Sequence, residues 1–247
     1  MSTRVVASIE ARMGSSRLPG KVLADVQGVP ALTRLVRRLR ACRRLDDIVP
    51  ATSTNAGDDV LEEWARGESV AVFRGSEDDV LQRVVDAQAF MKSDLIVEIT
   101  GDCPLLDPGL LDQGIETFFA NDCDVVNNVR VPTYPQGADV QVFRRRDLAA
   151  VAAAITDPAV REHVSLYFYE HPERYRLFTM IAPASQRAPQ QRLQLDYPQD
   201  LEFIRQVYAR LEPELGGVFG VEEILRLLAR EPALARINAD CVEKPAR

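Results

Sequence analysis

Short apolar runs alternate with helical stripes along the first half of this chain, and that alternation leaves few folds open to it. Residues 5–9 form a nearly continuous apolar run, the pattern of a strand covered on both faces. A loop rich in Gly, Ser and Pro follows, after which Leu32, Leu35, Val36 and Leu39 recur at helical spacing. The rhythm then repeats, with strands expected at 48–52, 70–73, 95–99 and 124–126. Helices are expected through 60–65, 80–89 and 110–118. Such regular exchange of strand and helix predicts an α/β fold with a doubly wound, mostly parallel sheet.

Near residue 129 the rhythm breaks. Pro132, Pro135 and Gly137 interrupt the chain. A strand at 140–143, helices at 148–155 and 160–169, and a strand at 175–181 follow, then a polar loop at 183–190. Residues 193–195 read as a strand that rejoins the main sheet, with a helix over 199–211 behind it. The expectation is one domain, 1–247, carrying a small inserted α+β lobe at about 129–190. No internal repeat is visible.

Composition narrows the function. With 247 residues and 46% hydrophobic content, the chain can bury the core of one such domain. A net charge of −7 argues against a general nucleic-acid binder, yet allows a small anion held by a local basic cluster. Cys42, Cys103, Cys123 and Cys241 are far apart and form no CxxC pair, so neither zinc nor a redox motif is expected. No apolar run approaches the ~18 residues of a membrane span, and no signal-like segment precedes the first strand. A cytoplasmic protein is expected.

The densest chemical signal is Glu10-Ala-Arg-Met-Gly-Ser-Ser-Arg-Leu-Pro-Gly-Lys21, directly after the first strand. Open α/β sheets bind ligands beyond the carboxyl ends of their strands. Gly14 and Gly20 allow tight turns that aim N–H groups at an anion, Ser15 and Ser16 add hydroxyls, and Arg12, Arg17 and Lys21 add charge. A Walker A loop is excluded, because five residues separate the glycines and Val22 follows Lys21. A dinucleotide fingerprint is excluded too, since Thr52-Ser-Thr stands where its acidic residue belongs. Asp102 and Asp196, each just past an expected strand, point toward the same crevice. A Mg²⁺ ion shared with substrate phosphates is commonly held by one or two such carboxylates.

The string Ala11-Arg-Met-Gly-Ser-Ser-Arg-Leu-Pro-Gly-Lys-Val-Leu23 resembles the nucleotide-binding signature of cytidylyltransferases that activate acidic sugars. It is similar to the CMP-Kdo synthetases and, more closely, to the SpsF-type spore-coat polysaccharide enzymes. Arg74-Gly-Ser-Glu-Asp-Asp-Val-Leu81, Thr100-Gly-Asp-Cys-Pro-Leu105, Tyr134-Pro-Gln-Gly, Arg161-Glu-His-Val164 and Asp196-Tyr-Pro-Gln-Asp-Leu201 follow in the expected order. The resemblance covers the chain to about residue 210 and implies a nucleotide-diphospho-sugar transferase-like fold. It implies transfer of CMP from CTP to an acidic sugar, with Asp102 and Asp196 as metal ligands. Ala11, Arg12, Gly14, Ser15, Ser16, Arg17, Lys21 and Asp102 would hold the nucleotide, joined by Arg74 at its base or ribose. Thr100 stands where CMP-Kdo synthetases carry glutamine, which leaves that base contact open. Arg12, Lys21, Asp102 and Asp196 form the expected catalytic set.

Asp139, Arg161, Glu162 and His163 are candidates for the acceptor, with Arg161 the natural partner of a carboxylate. A charged helix face is the competing explanation for the last three. The 129–190 lobe is expected to mediate a homodimer. A glycosyltransferase is the rival enzyme, but its usual Asp-x-Asp pair is missing, since Gly101-Asp-Cys-Pro stands here. A non-catalytic nucleotide-binding protein is the rival of another class.

Overall fold

The structure, a computed structural model, describes residues 3–242. The chain runs through β1 (Val5–Glu10), β2 (Asp25–Val26), β3 (Val29–Pro30), α1 (Ala31–Leu39), β4 (Asp47–Ser53), α2 (Asp59–Glu68) and β5 (Phe73–Gly75). It continues through α3 (Val80–Phe90), β6 (Leu95–Thr100), α4 (Pro108–Ala120), β7 (Val125–Asn127), β8 (Gln141–Arg144) and α5 (Arg145–Ala154). Last come α6 (Pro158–Glu162), α7 (Leu166–Glu170), β9 (Leu177–Thr179), α8 (Pro198–Leu215) and α9 (Val221–Arg230).

Seven strands form one sheet in the order β5-β4-β1-β6-β8-β7-β9, and β2 with β3 makes a separate ribbon. Only β8 runs against its neighbours within that sheet, and the other pairings are parallel. Successive strand residues point to opposite faces. Val5, Ala7 and Ile9 of β1 and Leu95, Val97 and Ile99 of β6 therefore enter one core, with Leu35 of α1, Leu111 of α4, Val207 of α8 and Leu227 of α9. On the other face Val6 packs under α3, and Ile96 lies with Leu148 of α5, Val160 of α6 and Phe168 of α7. Both faces are covered, which is why the strands read as apolar runs.

Four local expectations change. The third strand begins at Phe73 rather than residue 70, because Ser69 takes a left-handed conformation and Val70 N–H closes onto Ala65 O to end α2. The helix expected over 160–169 is two short helices, with His163 extended between them (φ −113°, ψ 95°). That break turns the Ser165 hydroxyl onto Glu98 of β6. Residues 193–195 do not rejoin the sheet, since both sides of β6 are already taken by β1 and β8. They lie beside the 134–138 turn instead, through an isolated parallel bridge between Gln136 and Arg192. Finally, residues 129–190, read from the sequence as an inserted lobe, contribute β8 and β9 to the sheet itself, and their helices α5 and α6 pack on α3.

Candidate functional site

A cavity of about 1100 Å³ opens beyond the carboxyl ends of β1 and β6. One of its walls is the basic loop. Gly20 N–H donates to Met13 O at 3.0 Å and closes the loop, with Gly20 in the left-handed region (φ 71°) that a side chain would strain. Asp58 fixes the other flank by accepting from Met13 N–H at 2.7 Å. Ala11, Arg12, Gly14, Ser15, Ser16, Arg17 and Lys21 all line the cavity.

The loop's cations meet carboxylates there. Lys21 Nζ lies 2.7 Å from Asp102 Oδ2 and 2.7 Å from Asp196 Oδ1, and Arg17 donates to the same Asp196 oxygen at 2.7 Å. Burial alone would raise the Asp102 carboxyl, but the Lys21 charge and hydrogen bonds from Lys21, Thr100 and Gln194 outweigh it and hold it below the usual carboxylate range. Burial likewise works against the Lys21 ammonium, and Asp102 and Asp196 more than restore it. Two carboxylates from distant parts of the chain thus converge on a single cationic atom. That donor set suits a divalent ion completed by phosphate oxygens and water. Among the described residues no cluster of three or more His, Cys, Asp or Glu offers an all-protein metal cage.

Asp196 reaches this position without a sheet strand under it. Gln136 O accepts from Leu193 N–H, and Leu195 N–H donates to Asp102 O, both at 2.8 Å. The turn bearing Gln136 fits closely because Gly137 (φ 86°) has no Cβ, which would otherwise lie 2.8 Å from Gln194 N. Below Asp196 sits Arg192, which bonds Asp196 Oδ2 at 2.7 Å and Asp200 Oδ1 at 3.0 Å. Asp200 also accepts from the Asp196 and Tyr197 amides at the start of α8, and from Asn238 Nδ2 at 2.8 Å. Arg192 and Asn238 were not singled out in the sequence. An arginine between a turn and a strand-like run carries no local sign of its two partners.

The remaining candidates divide. Thr100, Asp139, Glu162 and His163 line the cavity. Arg74 does not. It sits at the end of the sheet, paired with Asp59 at 2.6 Å and Glu62 at 3.2 Å, and donates to the carbonyls of Ser53 and Asn55. Arg161 does not either, because its guanidinium bonds Asp79 at 3.2 Å and Ala152 O at 3.0 Å. Its place in α6 directs it to α3, so it cannot serve as expected for an acceptor carboxylate. Trp64 donates to Thr33 Oγ1 and packs on the core.

Glu10 and Glu98 are the functional candidates the sequence reading missed. They lie on the α3 face of adjacent strands, and both line the cavity. Burial and the Glu98 charge push Glu10 well above the ordinary carboxyl value, against the lowering effect of Arg83. Burial raises Glu98 to about 7 despite the opposing hydrogen bond from Ser165. Glu10 closes one strand run that otherwise reads as apolar, and Glu98 interrupts another. The detectable signal was two acids on the same side of that alternation.

A cytidylyltransferase family model matches residues 6–227. The chain is 36% identical to the spore coat polysaccharide biosynthesis protein SpsF of Bacillus subtilis (strain 168), over 92% of this chain and 95% of that protein. It is 30% identical to the 3-deoxy-manno-octulosonate cytidylyltransferase of Chlorobium phaeobacteroides, over 70% of this chain and 66% of that one. The solved structure of a cytidylyltransferase from Leptospira borgpetersenii superposes with a TM-score of 0.89 at 29% identity, over 95% of this chain and 97% of that chain.

Proposed function

This chain belongs to the cytidylyltransferase family, and on that footing we propose that it transfers CMP from CTP to a sugar hydroxyl, with release of pyrophosphate, in the synthesis of a surface polysaccharide or related glycan. The acceptor oxygen attacks the α-phosphorus, the bond to the bridging oxygen of the β-phosphate breaks, and pyrophosphate leaves with the electron pair. The hydroxyl proton passes to solvent water.

The observation that carries the reading is the Lys21 ammonium held by Asp102 and Asp196, beside Arg17. A triphosphate draws Arg12, Arg17 and Lys21 to its oxygens, and Ser15, Ser16 and the Gly14 amide add donors. These groups stabilise the charge that collects on the leaving pyrophosphate. Asp102 and Asp196, released from Lys21, would hold Mg²⁺. When bound, that ion supplies Lewis acidity at phosphate and lowers the pKa of the attacking hydroxyl. Arg192 keeps Asp196 aimed at the site throughout.

The acidic acceptor implied by the resemblance loses its anchor with Arg161, and the carboxylates lining the cavity favour another class, argued below. A homodimer formed through residues 129–190 is part of the proposal, supported by the exposed Val131, Phe178 and Ile181. Light scattering should give about twice the 27.5 kDa chain mass. No helix among the described residues is long and apolar enough to cross a membrane. A cytoplasmic location is proposed with it, consistent with four free cysteines.

Thermal-shift titration with Mg²⁺ and CTP, UTP or ATP tests the nucleotide. CTP should stabilise most, and equal stabilisation by UTP or ATP would remove the cytidine assignment.

A further inference from the structure

Resting on the transfer reading above, we infer that the acceptor carries a protonated amine, held at the Glu10–Glu98 pair. The pair lies where the sheet should be apolar. Ser8, Glu10, Glu98 and Thr100 share the face on which Val6 and Ile96 are packed under helices. Over Val6 and Ile96 the helices close on the sheet, whereas over Glu10 and Glu98 they leave the cavity. Glu98 is only 5% exposed and accepts from the Ser165 hydroxyl. Glu10 Oε1 is fully enclosed, with no hydrogen-bond partner among the described residues.

A buried carboxylate is costly unless paired or given donors, and two side by side cannot both ionise without a cation. In the free protein burial raises both carboxyls, and the Glu98 charge adds to the effect at Glu10 while Arg83 opposes it. Arg83, whose charge faces Glu10, directs its N–H groups to the carbonyls of Ala51, Ser76 and Glu77. Asp139 and Glu162 add two further acids to the lining. A carboxylate arriving here meets like charge. An ammonium offers three donors to the cavity-facing side of the pair and lets both carboxyls ionise around it. A neutral polyol supplies donors but no charge to offset theirs.

The test measures CTP-dependent pyrophosphate release over matched trios, each an aminodeoxy hexose, its parent hexose and the corresponding uronic acid, with 3-deoxy-manno-octulosonate added. In at least one trio the amino sugar should exceed its parent by about 30-fold in kcat/KM, and the uronic acids and octulosonate should fall below both. Glu98→Gln and, separately, Glu10→Gln should bring the amine preference to within about threefold, while CTP still raises Tm as in the wild type. The inference is overturned by better turnover of any sugar acid than of its amino partner, by equal use of amine and parent, or by a preference that survives both substitutions. Absence of release with every amino sugar, while CTP and Mg²⁺ still stabilise the protein, also overturns it and leaves nucleotide binding standing. Failure of CTP to stabilise the protein would instead remove the transfer reading, and this inference with it.

Discussion

The two sides of the cavity handle buried charge in opposite ways. Along the basic loop every charge has an opposite neighbour: Lys21 with Asp102 and Asp196, Arg17 with Asp196, Arg192 with Asp196 and Asp200. On the α3 face, two buried carboxyls, Glu10 and Glu98, lie close together with only the Ser165 hydroxyl and the nearby Arg83 charge to offset them. The first arrangement is stable as it stands and, on the proposed function, would exchange partners when phosphates arrive. The second relieves its repulsion by titrating. A paired site therefore answers to ligand, and a crowded one answers to pH as well.

Removing a carboxylate from the paired side should have the largest consequence. Asp102→Asn is expected to lower the rate of pyrophosphate release by about 10³-fold while CTP binding changes little, because its charge acts mainly on the transition state. Turnover within a few-fold of wild type would reduce Asp102 to a partner of Lys21. Next comes the support beneath Asp196. Arg192→Met leaves Asp200 buried without its cation, and Asp196 with only Lys21 and Arg17, and should cost about 3 kcal/mol in urea unfolding. A loss under about 1 kcal/mol would mean that Asn238 and the helix amides suffice.

The crowded side should show itself in the pH dependence of stability. Glu98 binds its proton more tightly folded than unfolded, so its contribution is full below the unfolded value of ~4.5 and fades as pH rises through about 7. Between pH 5 and pH 8, Glu98→Gln should lose less Tm than the wild type by about 4 °C or more. Parallel curves would show that the fold does not raise the Glu98 carboxyl. The smallest effect is expected at Arg161, which lies outside the cavity. Arg161→Ala breaks a half-exposed ion pair with Asp79 and should change stability by under about 1 kcal/mol and acceptor KM by less than about twofold.

The same contrast decides what could be read from the sequence. The basic loop is one contiguous string whose glycines, serines and cations serve a single surface, so its chemistry is visible without a fold. The parallel half of the sheet is legible for a similar reason: each strand buries both faces and stands out as an apolar run. Glu10 and Glu98 are 88 positions apart and meet only because β1 and β6 are neighbours in register. Arg161 failed as a candidate because its motif says nothing of direction, and the break at His163 turns α6 toward α3. Residues 193–195 looked like a strand because burial, rather than sheet pairing, makes them apolar.

The bonds from Asn238 to Arg192 O and to Asp200 have a consequence in time. As the chain leaves the ribosome, strands β5, β4, β1 and β6 are all available once residue 100 has emerged, and the basic loop with them. Asp196 arrives nearly a hundred residues later, and the amide that steadies its support later still. At ordinary rates of synthesis the interval is on the order of ten seconds. A truncated product ending short of Asn238 would keep the parallel core and the loop, yet lack part of the brace beneath Asp196. In this molecule those parallel strands are made early, and the finished site waits for a residue made more than a hundred positions after them.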